Sequence, residues 1–247
     1  MRTGVLWFLL ALAAVTAGRW WTAALWALVA FPAGVQTVLA WDRHLRPRTA
    51  EQATGPGPAA LARGVVAGLA AVAITLAAGW STGLAGVALT ALSVTAGVAQ
   101  LLGRSFARGA APVALGMVLG GVAGAGVVLV VRSELWVGIL LVLAVSLYDA
   151  GAFVFGAEAK GRWEGPVLGT IGVAAVTFTM STIGVQPFER HEVWITGAAI
   201  ALGCVLGQLL VGACLPHPAA RAAALRRLDG YVVSGPAVLA CIWLLGN

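Results

Sequence analysis

The chain has 247 residues, of which 60% are hydrophobic and only 10% charged, with a formal net charge of +6 and a mean hydropathy of +0.95. No water-soluble globular domain of this size tolerates such a surface, so lipid is the solvent the sequence requires. The basic excess sits in short loops rather than in an aromatic-interleaved patch, which argues against a nucleic-acid partner.

In chain order, apolar blocks near the roughly 20 residues that an α-helix needs to cross a ~30 Å hydrocarbon core predict spans at residues 4–18, 20–41, 61–78, 83–102, 111–131, 135–155, 166–185, 193–213 and 230–245. The expected fold is all-α, a polytopic bundle of about nine transmembrane helices. One membrane domain fills residues 1–247, with N-terminal spans in 1–135 and the remaining spans in 136–247. The short first span has an alternative reading as a cleaved signal peptide, which leaves the orientation of every later span unchanged.

Arg2, Arg43, Arg46, Arg48, Arg63, Arg104, Arg108, Lys160, Arg162, Arg221, Arg226 and Arg227 fall on one side of this layout and Arg19, Arg132 and Arg190 on the other. Twelve against three places the N-terminus and the loops after even-numbered spans in the cytoplasm and Asn247 outside, in a multi-pass protein of the cell membrane. Trp20, Trp21, Trp80, Trp136, Trp194 and Trp243 then form an outer aromatic belt, with Trp41 and Trp163 at the inner interface. The segment 49–59, with Gly55-Pro56-Gly57-Pro58, is the one linker of note. Cys204, Cys214 and Cys241 lie in spans at no paired spacing and read as small apolar fillers. Gly64 with Gly68, Gly116 with Gly120 and Gly124, and Gly203 with Gly207 stand at the spacing that lets helix backbones approach in lipid.

Polar groups at membrane depth are costly and point to function. Asp149 lies 14 residues into the sixth span, ~21 Å from its outer edge, and Gln208 lies 15 residues into the eighth, ~22 Å deep. Both spans run the same way, so the two groups share a depth, either satisfying one another or flooring a cytoplasm-facing site. Asp149-Ala150-Gly151-Ala152-Phe153 leads through Gly156 to Trp163-Glu164-Gly165-Pro166, where proline at the first helical position starts a new span. That helix N-terminus suits a phosphate, and Glu164 there also suits the helix dipole unaided. The last cytoplasmic loop supplies Arg221 and Leu225-Arg226-Arg227-Leu228-Asp229, with Pro236 inside the final span. Clustered arginines beside a membrane suit a phosphate headgroup, and positive-inside topology also predicts them without a ligand.

The order Asp149-Ala-Gly-Ala-Phe, Gly156, Trp163-Glu164-Gly165, Gly207-Gln208-Leu209, Leu225-Arg226-Arg227-Leu228-Asp229 and Pro236 resembles the C-terminal half of the phosphatidate cytidylyltransferases, the CDP-diacylglycerol synthases. The likeness runs at motif level over residues 146–240; before that it rests on span layout and on Ala40-Trp41-Asp42 closing the second span. The resemblance implies a cytoplasm-facing site that takes CTP and phosphatidate, with Asp149 and Asp229 as catalytic and metal-holding carboxylates. It further implies Trp163, Glu164, Gly165, Gln208, Arg226 and Arg227 as substrate-binding residues and Mg2+ as the cofactor of an active enzyme.

The departures fall on the metal site. Gln208 replaces the aspartate of the family's Gly-Asp-Leu, and Arg226 replaces the first aspartate of its Leu-Asp-Arg-x-Asp. The Ser-Pro-x-Lys-Thr stretch is shortened, with Gly161 and Arg162 at the Lys-Thr positions. The Ser-x-x-x-Lys-Arg, Lys-Asp and Gly-His-Gly-Gly elements are missing between Leu209 and Leu225. Asp to Gln removes one negative charge and Asp to Arg changes the charge by two, so the site is three units more positive than the family's. Three readings follow. The first is a diverged family member that keeps a phosphatidate or CTP pocket with weakened or lost catalysis and needs no cofactor. The second is a working enzyme whose metal sits on Asp149, Asp229 and Glu158 or Glu164. The third is a small transporter or a structural partner of another membrane enzyme. A homodimer is compatible with each.

Overall fold

A computed structural model of the protein describes residues 2–45, 56–102, 109–156, 163–217, 220 and 222–246. Among these residues the chain forms nine helices: α1 (Arg2–Thr16), α2 (Arg19–Leu45), α3 (Pro58–Trp80), α4 (Thr82–Leu102), α5 (Ala110–Ser133), α6 (Leu135–Gly156), α7 (Glu164–Ile183), α8 (Arg190–Cys214) and α9 (Leu225–Leu245). Arg46, Arg48, Arg104, Arg108, Glu158, Lys160, Gly161, Arg162, Arg221, Asn247 and most of the 49–59 linker lie outside the described residues.

Seven helices (α2, α3 and α5 to α9) are long and apolar enough to cross a membrane, as a multi-pass membrane protein requires; Gly4–Thr16 and Thr82–Thr95 are shorter apolar stretches. The helix starts correct the expected spans where polar residues hid them. Pro58 opens α3 behind Gly57, so the linker ends before it. Helix α7 begins at Glu164, which makes Pro166 its third residue rather than its first. Proline is tolerated there because first-turn N–H groups have no intrahelical partner. Helix α8 begins at Arg190, where the Glu192 carboxylate accepts from the Glu189 N–H at 2.7 Å. Helix α9 begins at Leu225 rather than 230, so Arg226, Arg227 and Asp229 are helical and not loop residues. Leu225 and Leu228, both fully buried, extend the apolar face of α9 back through the charges.

Connections alternate in length. Ala17-Gly18, Ser81, Glu134 and 184–189 join the helix pairs α1/α2, α3/α4, α5/α6 and α7/α8, and these are the four turns that the charge pattern predicts outside. Gly18 (φ 105°) and Gly184 (φ 91°) supply the left-handed backbone that ends α1 and α7. The six tryptophans expected in the outer belt are all exposed on the protein surface, as is Trp163.

The chain divides into two compact units: Met1–Leu25 with Gly126–Gly207 and Gly230–Asn247, and Trp26–Ala125 with Gln208–Asp229. In the first, α1 packs on α6 and buries Ala11 and Val15. Helices α6 and α7 cross closely: a Cβ on Gly151 would stand 2.9 Å from the Leu168 carbonyl oxygen, and one on Gly169 2.8 Å from that of Tyr148. Helix α9 meets α8 at Gly203 against Ser234, and α5 at Gly126 against Gly235. In the second unit, α2, α3 and α5 cross at Gly34, Gly68 and Gly116, where a Cβ on Gly34 would fall 2.8 Å from the Gly68 nitrogen and one on Gly116 2.7 Å from the Gly34 oxygen. Most of the predicted small-residue positions, Gly64, Gly68, Gly116, Gly120, Gly124 and Gly203, are therefore helix-crossing points.

Candidate functional site

The candidate residues fall in both units. Asp149, Trp163, Glu164 and Gly165 belong to the first, and Gln208, Arg226, Arg227 and Asp229 to the second. The expected pairing of Asp149 with Gln208 joins residues of different units.

In the first unit Asp149 is half-buried on α6 and its carboxylate faces protein rather than lipid. A Cβ placed on Gly230 of α9 would lie 4.0 Å from Asp149 Oδ1, 2.9 Å from Val145 and 3.6 Å from Cys204 Sγ. Fully buried Tyr231, the next residue on α9, lies beside Ser146 and within electrostatic reach of Asp149 and Cys204. Farther along the chain, Trp163 caps α7 with no side-chain hydrogen bond; Trp163 and Glu164 are exposed and Gly165 is buried. Glu164, first residue of α7, complements the positive end of the helix dipole. None of Cys204, Cys214 and Cys241 forms a disulfide among the described residues.

The second unit gathers polar groups from α2, α3, the end of α8 and the start of α9. Trp41 Nε1 donates to the Cys214 carbonyl at 3.1 Å, satisfying an acceptor in the last turn of α8. Gln36 Oε1 accepts from the Ala224 N–H at 2.9 Å, immediately before α9 begins. The Arg226 N–H donates to Ala222 and the Arg227 N–H to Ala224, so the backbone around Ala224 is fixed from both sides. Along this turn Ala222, Leu225, Leu228 and Asp229 are buried, Arg226 is half-buried and Arg227 is exposed. Arg63 reaches Asp42 at 3.5 Å, a partly exposed pair of small energetic weight. Gln208 is half-buried on α8 behind buried Gly207.

Sequence reasoning missed Gln36, which is an isolated amide inside an apolar span and carries the same signal that singled out Gln208. It also missed Ser146 and Tyr231, although Ser146 stands one helical turn before Asp149. Among the described residues no three His, Cys, Asp or Glu side chains come together so as to hold a metal ion; Glu158 lies outside those residues, and Asp149 and Asp229 belong to different units. No family model matches the chain, and no curated protein matches it.

Proposed function

We propose that the protein is a nine-span membrane protein of the cell membrane with a cytoplasmic N-terminus that binds a phosphate-bearing ligand, a phosphatidate-like lipid or CTP, at its cytoplasmic face. In this reading it is a diverged relative of the phosphatidate cytidylyltransferases whose catalysis is weakened or lost. The observation that carries it is the first turn of α9, which holds Arg226 and Arg227 and no acidic residue. A helix N-terminus favours anions, and each cation placed there costs about 0.3–1 kcal/mol. Two guanidinium groups beside that dipole are offset by a phosphate, which they bind with charge-assisted hydrogen bonds. Replacement of two metal carboxylates by Gln208 and Arg226 supports binding over nucleotidyl transfer, because transfer relies on cations that neutralise phosphate charge.

The test uses protein in phosphatidylcholine nanodiscs titrated with short-chain phosphatidate or CTP. Arg226→Ala with Arg227→Ala should weaken binding about tenfold or more, the loss of one or two hydrogen bonds to a charged group. The unaltered protein should form little CDP-diacylglycerol from CTP, phosphatidate and magnesium. Absence of binding, or robust turnover abolished by Asp149→Asn, overturns the reading.

A further inference from the structure

We draw no further inference here: the strongest candidate, the side-chain cluster of Asp149, Ser146, Cys204 and Tyr231 where α6, α8 and α9 meet in the first unit, belongs to the site already described, its one carboxylate being the residue that the resemblance already assigns.

Discussion

Gly34→Ala tests the helix crossing on which the second unit is built. A methyl group at this position would stand 2.8 Å from the Gly68 nitrogen and 2.9 Å from both the carbonyl carbon and oxygen of Ala67. All three neighbours are backbone atoms, so no side chain can rotate away. Contact at the optimal ~3.5 Å requires α2 and α3 to part by about 0.7 Å, and a gap of 0.5–1 Å forfeits a quarter to a half of each dispersion contact along the seam. Overpacking of this kind costs about 1–3 kcal/mol. For a chain of this length that corresponds to a fall in Tm of about 2–12 °C, read as thermal unfolding in nanodiscs. Gly86→Ala on α4 is the control, because a Cβ there meets nothing within 4 Å. It should leave Tm unchanged or raise it, alanine being the better helix former by about 1 kcal/mol. A Gly34→Ala protein as stable as the unaltered one would show that α2 and α3 do not cross at this distance.

A reporter fused after Asn247 should be active only on the external side, and a cytoplasmic signal would overturn both the span count and the assignment of the arginines to the inner face. If Asp149 and Gln208 satisfy one another, Asp149→Asn and Gln208→Ala should be non-additive in thermal stability by about 0.6 kcal/mol, the usual size of a polar contact between membrane helices; strict additivity rejects the pairing. Gln208→Asp with Arg226→Asp restores three units of negative charge and should make divalent-cation binding detectable by isothermal titration, with turnover still limited by the missing Lys-Thr and Gly-His-Gly-Gly elements. No gain in cation binding would mean that these positions do not face a common site.

Much of the architecture is written in short-range pattern. Every predicted span falls on a helix among the described residues, and seven of those helices are long and apolar enough to cross a membrane, because apolar blocks bounded by Gly, Pro and charge are local signals. Most of the small-residue pairs likewise mark real crossings, since close backbone approach admits little besides glycine. Hydropathy failed at the ends of elements. It excluded Leu225 to Asp229 from α9 because three of five residues are charged, although Leu225 and Leu228 carry the buried face through them. The candidate site was legible only in part. Asp149 stands out because a lone carboxylate in an apolar run is conspicuous, whereas Tyr231 beside it looks like ordinary apolar filling until α9 is seen to lie against α6. Gln36 and Trp41 act on residues from the far end of the chain, a relation that no local pattern encodes.

The one-residue joints at Ser81 and Glu134 and the two-residue joint at Ala17-Gly18 bear on how the protein is made. A peptide this short has no length with which to pause in water between one crossing and the next. Where both flanking helices are long and apolar enough to cross, as α5 and α6 are, the second must follow the first into lipid without an intervening exposed state. For α5 and α6 the unit of biosynthesis is then the pair, so removing both would keep the orientation of everything downstream, while removing one of them would invert it.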